Sequence, residues 1–461
     1  MNAARDDRGV AVRLGGAVAL FLILVGQAQV TILDGSSMLA VTQSIVHHAS
    51  LSVPPQLGVA GHDGVTYYSK YGLLLPLLSI VPVLLAQPLG AIAGRVDLVE
   101  AAAAATVMPL VTGTLTGALY LLGRRLGAPR AAAALVAAGT VLGTYLLPYG
   151  RDFFTEPLVA LGLVVMVERA LAGRELQAAS ALAFAVLARP QSAVFAPLLL
   201  AFVALRGGGL AAIARTLPPL AIAAVVTVAY NVDRFHDALQ FGYRPPVDPG
   251  FTTPLLEGAR GLLLSPEKSV VLFAPAIVLV PLALVALWRG QRALVALLLA
   301  LFAATFVLAA TWWSWQGGWS WGPRLLIPGV AVVLVALGPW IGTSRSRLQL
   351  AAALFALGFA LSFSAVLAPA GMQQLERPHD DGPRIVRQYT ALPQLAKRSV
   401  RAARDTGARD DDYRRYLALW QAGITRQFGP WGLLPALAGT LALLAALVAV
   451  ARPLWVALRG V

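Results

Sequence analysis

Apolar residues fill long, nearly unbroken blocks along most of this chain, and polar residues gather between the blocks instead of alternating within them. A helix that is apolar on every face belongs in a large core or in lipid, and about 20 such residues cross a bilayer. The blocks predict spans near 14–33, 101–122, 131–148, 156–172, 177–188, 191–205, 214–230, 269–287, 293–311, 326–342, 349–368 and 432–451. The pair flanking Arg189-Pro190 is the shortest. No small-residue cleavage site follows the first block, which runs into ILDGSSMLA, so it reads as a first span and not as a cleaved signal peptide. One more block, 73–93, carries Pro76, Pro82 and Pro88 and reads either as a span or as an interfacial or re-entrant helix.

Charge separates twelve spans from thirteen, because Lys and Arg collect on the cytoplasmic side. If 73–93 does not cross, one side receives the N-terminus and the segments around Arg124/Arg125/Arg130, Arg169/Arg174, Arg206/Arg215, Arg289/Arg292, Arg345/Arg347 and Arg452/Arg459. That side holds 16 basic and 4 acidic residues, a balance of +12, and the other side holds 20 and 18, a balance of +2. If 73–93 crosses, the pattern inverts and GRRLGAPR faces outward. The expected architecture is therefore an all-α polytopic membrane protein of about 12 transmembrane helices with both termini cytoplasmic. The net charge of +14 is then mostly an orientation signal, and no nucleic-acid partner is implied.

Composition agrees, with 58% hydrophobic and 13% charged residues in 461, against about 25% charged in soluble domains. The absence of cysteine removes disulfides, thiolate metal sites and a cysteine nucleophile. Of 36 basic residues only Lys70, Lys268 and Lys397 are lysine, an Arg bias that points to a GC-rich bacterial genome and hence to a bacterial inner membrane.

Under this topology the extracytoplasmic side owns the segments 34–100, 149–155, 231–268, 312–325 and 369–431. All five histidines (His47, His48, His62, His236, His379) fall there, as do five of the ten tryptophans, in TWWSWQGGWSWGPR. A transporter places ionisable groups inside its spans near the midplane. Here the spans are almost free of them, which favours chemistry at one membrane face. The competing reading, a lipid-linked glycan translocator or other polytopic transporter, needs a polar path to a side that has only four acids.

The candidate residues sit where polar segments meet spans. Asp34 follows the first block in LDGSSML, where a helix cap and catalysis are equally open. GHDGVTYYSKYG offers Asp63, Tyr68 and Lys70, and YGRDFFTEP offers Arg151, Asp152 and Glu156. Arg189 precedes a proline between the two short blocks, at a depth where an arginine is costly without an anion. Arg234, Lys268 and Arg324 stand in YNVDRF, LLSPEKS and GGWSWGPR, the last with Trp319. Each has an ordinary structural reading: an aromatic belt, a local ion pair, a snorkelling side chain. Their convergence on one face fits a different chemistry. Guanidinium and ammonium groups suit a lipid phosphate, and aromatic faces suit sugar rings. A carboxylate beside them could deprotonate an acceptor hydroxyl. No H-E-x-x-H, Walker loop or dinucleotide fingerprint occurs.

The order of these residues resembles the GT-C superfamily of polyprenyl-phosphate-dependent glycosyltransferases, in particular protein O-mannosyltransferases and lipid A aminoarabinose transferases. The resemblance runs over roughly residues 14–340. It rests on Asp34, SMLAVTQSIVHHASLSVP, YYSKYGLLLPLL and the block 73–93, then YGRDFFTEP, LARPQSAV, YNVDRF…GY, GLLLSPEKS and QGGWSWGPR. It implies a GT-C-like module over 1–368 with interfacial helices in the first extracytoplasmic loop, which is a second reason for 73–93 not to cross. It further implies Asp34 as catalytic base and Lys70 as a ligand of the lipid phosphate. Arg151, Arg189, Arg234, Lys268 and Arg324 are added here as further phosphate or sugar contacts, with Asp63, Tyr68, Asp152, Glu156 and Trp319 in support. The resemblance implies a polyprenyl-phosphate sugar donor, a glycan, lipid or protein acceptor outside the cytoplasm, and no nucleotide or essential metal, a divalent ion being left open. One departure is Gly35 after Asp34, where many relatives have a second acid. Asp34 is therefore expected to work alone or with Asp152 or Glu156. The loop 369–431 is expected to form short helices over 384–404 and 411–425, as a lid or an acceptor surface, before a last span and cytoplasmic tail over 432–461.

Overall fold

The computed structural model describes residues 2–27, 29–243, 245, 248–318, 320–367, 419–421, 424 and 432–459. Trp319 and most of the loop 369–431, with all of the expected helix 384–404 and most of 411–425, lie outside the described residues. The described chain is almost wholly α-helical. Six helices are long and apolar enough to cross a membrane, and five shorter apolar helices accompany them. This is a multi-pass membrane protein.

Helix α1 spans Asn2–Leu24 and packs along α5, Val107–Arg125. Small residues make the contact possible: a Cβ on Gly113 would stand 2.5 Å from the Gly15 carbonyl oxygen, and one on Gly117 3.0 Å from that of Ala11. In lipid, where no hydrophobic force holds helices together, such backbone proximity is the main source of packing energy. Gly113→Leu is expected to cost about 3 kcal/mol by overpacking. Its thermal unfolding in detergent should show the loss, whereas Leu110→Ala, at a position 55% exposed, should not.

The two helices run antiparallel, so the start of α1 meets the end of α5. There Asp7 accepts hydrogen bonds from Tyr120 (3.1 Å), Arg124 (3.0 Å) and Arg130 (3.1 Å). Asp6 pairs with Arg130, Glu168 with Arg125 at 2.7 Å and Arg169 at 2.6 Å, and Glu175 with Arg215 at 3.8 Å. Every acid on the strongly basic side is thus matched to an arginine.

The first helix begins and ends earlier than the apolar block 14–33 suggests. Its exposed carbonyls are claimed by other parts of the chain: Gln421 donates to Leu24 O (3.0 Å), Arg151 to Val25 O (2.6 Å) and the Trp420 amide to Gly26 O (2.9 Å). These are the terminal acceptors a helix must satisfy elsewhere. Helix α2 (Leu33–His48) follows, then a small antiparallel hairpin of β1 (Val59–Ala60) and β2 (Tyr67–Tyr68).

Block 73–93 becomes one 20-residue helix, α3 (Leu74–Ala93), which turns at Gly94 into α4 (Val96–Ala105). Its length alone would let it cross. It lies against α2 and α4, with Gly90 backed onto Val96, and α4 leads straight on into α5. The buried Glu100 of α4 accepts hydrogen bonds from Gln43 of α2 (3.1 Å) and Gln87 of α3 (3.4 Å) and meets His47 at 2.9 Å, clipping the three helices together.

Several later blocks are broken. Block 131–148 divides at Gly143 into α6 (Arg130–Leu142) and α7 (Leu146–Arg151), where Gly358 of a later helix presses on the Gly143 carbonyl. Helices α8 (Glu156–Leu171) and α9 (Glu175–Ala188) form a close pair. Arg189 is then extended (φ −146°, ψ 107°), as a residue before proline prefers, and a 3₁₀ turn at Pro190–Phe195 leads into α10 (Ala196–Leu205). Helix α11 is Leu210–Phe235, longer than its block, and α12 is Leu255–Leu264. Block 269–287 is split by Pro275 into α13 (Val270–Phe273) and α14 (Val280–Trp288). Helices α15 (Arg292–Thr311), α16 (Ile327–Leu334), α17 (Leu337–Ile341), α18 (Arg345–Leu367) and α19 (Leu433–Arg459) complete the bundle.

Candidate active site

Beyond the end of α1, the loops between helices enclose a cavity of about 670 Å³. Its floor is charged and its walls are aromatic and aliphatic. Asp34 enters from the first turn of α2, Lys70 and Tyr71 from the link between β2 and α3, Arg189 from the break after α9, and Arg324 from the turn before α16. Tyr230, Tyr243, Phe251, Trp312 and Trp313 form much of the wall.

Local backbone choices aim these groups. The N-cap of α2 is Ile32, with no side-chain cap, so Asp34 is free of that duty. Its Oδ2 accepts from Arg324 Nη1 at 2.9 Å and its carboxylate takes a hydrogen bond from Tyr71. Gly72 lets the Lys70–Tyr71 segment close onto α9, since a Cβ there would lie 2.3 Å from the Ala188 carbonyl oxygen. The extended Arg189 turns its guanidinium back to Glu156, with Nη1 to Oε1 at 2.5 Å. Glu156 also lies 3.9 Å from Arg324 Nε, and the Arg324 guanidinium stands 5.0 Å over the Phe154 ring.

Asp34, Arg324, Glu156 and Arg189 therefore form one alternating chain of charge. Burial pushes Asp34 up, but the charge of Arg324 and the bonds from Tyr71 and Arg324 outweigh it and hold the carboxyl below its usual range. Beside this chain Lys70 Nζ meets Asp248 Oδ2 at 2.7 Å and stands 5.0 Å over the Tyr243 ring.

Of the residues singled out in the sequence, Asp34, Lys70, Arg189 and Arg324 line the cavity together, with Glu156 just behind. Arg234 reaches the wall, but each of its guanidinium nitrogens already donates to a protein oxygen: Nε to Tyr230 O (3.0 Å), Nη1 to Ser69 O, and Nη2 to Asn231 Oδ1 (2.7 Å). It pins the β-hairpin to α11. Arg151 is buried at the end of α1, with Asp152 at 3.5 Å. Glu156, not Asp152, thus shares an arginine with Asp34. Asp63 closes the hairpin turn, held at about 2 by the Thr66 hydroxyl and two backbone amides. Tyr68 packs on Phe235, while its near neighbour Tyr71 reaches the site.

Lys268 lies behind the cavity, under the tryptophan-rich segment that leads to Arg324. Its Nζ donates to Ser320 O at 2.6 Å and Ser320 Oγ at 3.1 Å. Burial, then the charge of Arg324, pushes it down to about 7. In the unfolded chain it binds its proton up to its ordinary value of 10.5. Between those values the unfolded state holds more protons, so stability rises with pH across the window, by at most about 1.4 kcal/mol per unit. Unfolding of the wild type from pH 7 to 10 should show that rise, and Lys268→Met should flatten it.

Sequence reading passed over Asp248; Tyr71, Tyr243, Trp312 and Trp313 stood inside quoted motifs but were not named as site residues. Adjacency to Lys70 was a signal for Tyr71. Asp248 carries none, since only folding brings it to Lys70. Among the described residues no group of three or more metal-ligating side chains occurs.

No protein-family model matches the sequence, and no curated protein matches it. Solved structures do. ArnT from Cupriavidus metallidurans bound to undecaprenyl phosphate superposes with a TM-score of 0.50 at 14% identity, over 95% of this chain and 76% of that one. The apo Archaeoglobus fulgidus oligosaccharyltransferase also gives 0.50, at 13% identity over 89% of this chain and 59% of its own length. This chain thus spans less than two thirds of the archaeal enzyme. The fold is the GT-C fold expected from the sequence.

Proposed function

We propose that this protein is an integral membrane glycosyltransferase that moves a sugar from a polyprenyl-phosphate-linked donor to an acceptor outside the cytoplasm. The observation that carries the reading is the cavity floor, where one carboxylate, Asp34, stands within 2.9 Å of Arg324 and beside Lys70 and Arg189. In the proposed reaction Asp34 removes the proton from an acceptor hydroxyl. The freed oxygen attacks the anomeric carbon as the bond from that carbon to the lipid phosphate oxygen breaks. The phosphate leaves with the electron pair, and Lys70, Arg189 and Arg324 balance its charge. A single base and an anionic leaving group suit direct displacement with inversion.

In this reading Arg151, Arg234 and Lys268 support the walls and do not touch the donor, and Glu156 positions Arg189 and Arg324. The module over 1–368 would carry the reaction, in a bacterial inner membrane, with twelve crossings, both termini cytoplasmic and the cavity on the opposite face. The basic end of α1 and α5, far along those helices from Asp34, supports that orientation. The ArnT structure was solved with undecaprenyl phosphate, which supports the donor class.

The test uses the purified full chain in nanodiscs, offered a panel of labelled polyprenyl-phosphate sugars with membrane glycolipids, peptidoglycan fragments and peptides as acceptors. Release of polyprenyl phosphate with label in one acceptor class is expected. Movement of an unmodified lipid-linked glycan across the bilayer, with no release, would overturn the reading.

A further inference from the structure

The cavity floor is electrically closed. Arg324 is matched by Asp34, Arg189 by Glu156 and Lys70 by Asp248, so each of these three cations faces an anion. An incoming phosphate must therefore displace a carboxylate, and the three are not equally held. Asp34 and Glu156 belong to the first turns of α2 and α8 and are bound to each other through Arg324. Asp248 lies in irregular backbone between α11 and α12, near Gly250, whose φ of 83° suits only a flexible residue, and its ion pair stands apart from the other two. Its Oδ2 lies 2.7 Å from Lys70 Nζ, which itself stands over the Tyr243 ring, and so occupies the position a phosphate oxygen would take on that lysine.

From this we infer that Asp248 is an intramolecular placeholder for the donor phosphate, an inference that rests on the donor reading above. It holds Lys70 in place before the donor binds, yields it when the anionic headgroup arrives, and returns to it as the lipid phosphate leaves. Asp248 is thus a positioning residue that sets donor affinity and product release. It also makes entry selective, because a neutral lipid alcohol offers nothing to exchange for the ion pair.

The experiment measures binding of undecaprenyl phosphate, and of undecaprenol as the uncharged control, to the full chain in zwitterionic nanodiscs. Asp248→Asn keeps the shape and removes the charge. It is expected to bind undecaprenyl phosphate about fivefold more tightly than wild type, the effect of a partly exposed ion pair that no longer competes. Undecaprenol binding should not move. Asp248→Ala should give the same gain, which guards against a folding defect in either variant. In a Lys70→Gln background Asp248→Asn should change nothing, since the pair is already broken.

Equal or weaker binding of undecaprenyl phosphate by both Asp248 variants overturns the placeholder and leaves the donor reading standing. No binding to wild type or to either variant overturns both. A gain that persists in the Lys70→Gln background also overturns it, because the charge would then act on some other group. In turnover, the placeholder expects Asp248→Asn to lower KM and kcat together as product release slows, a split that a merely structural residue would not produce.

Discussion

Under the proposed function, replacing Asp34 with asparagine is expected to lower sugar transfer by about 10³-fold while undecaprenyl phosphate still binds, within the range of a general base. The amide keeps the shape and can still accept a hydrogen bond from Tyr71 and Arg324, so the cavity should not collapse. What is lost is the ability to take a proton from the acceptor. Asp34 is held below its usual range by Arg324 and Tyr71 despite its burial, so the proposed base is ionised throughout the neutral range. Wild-type transfer should fall only when the medium becomes strongly acidic, and Asp34→Asn should show no acid limb at all. The measurement is initial rate against pH with a fixed labelled donor. Wild-type rates in the asparagine variant would remove Asp34 from the reaction.

Arg324→Met is expected to be the most destabilising single change at the site, at about 3 kcal/mol. Removing one partner of a buried ion pair leaves an uncompensated charge, and here it leaves two acids facing each other with only Arg189 to hold them. Glu156 is the more buried of the two, with a side chain 3% exposed. Neutralising it should return much of the loss, so the Arg324→Met, Glu156→Gln double variant should unfold nearer the wild type than Arg324→Met alone. Thermal unfolding in detergent reads this directly. Transfer should remain low in both variants, because the leaving phosphate still lacks the Arg324 guanidinium. An additive pair of losses would mean that Arg324 and Glu156 do not share one network.

Much of the scaffold was legible because lipid imposes a simple rule. A segment apolar on all faces must be helical and surrounded by apolar groups, so long blocks became helices. Boundaries were read less well, for reasons that lie outside each block. The first helix stops at Leu24 because Arg151, Trp420 and Gln421 take its terminal carbonyls, and 131–148 breaks where another helix backbone presses on Gly143. Pro275 stood inside 269–287 without being read as a break, whereas Arg189-Pro190 was placed between two short blocks, where the turn that aims Arg189 lies.

At the site, residue type was a good guide to which charges need an explanation and a poor guide to what satisfies them. Arg151, Arg234 and Lys268 were singled out as cations near the membrane, and each donates to protein oxygens. Those acceptors are largely backbone carbonyls, which every residue has and no sequence pattern marks. Asp34 and Arg324 are 290 residues apart, and Lys70 and Asp248 are 178 apart. By itself, then, the sequence determined a helical membrane protein, the segments in which its basic charge collects, and a short set of candidate cations and acids. Only the tertiary structure decided which of them meet, because hydropathy is a property of each segment alone, whereas an ion pair depends on how distant segments pack.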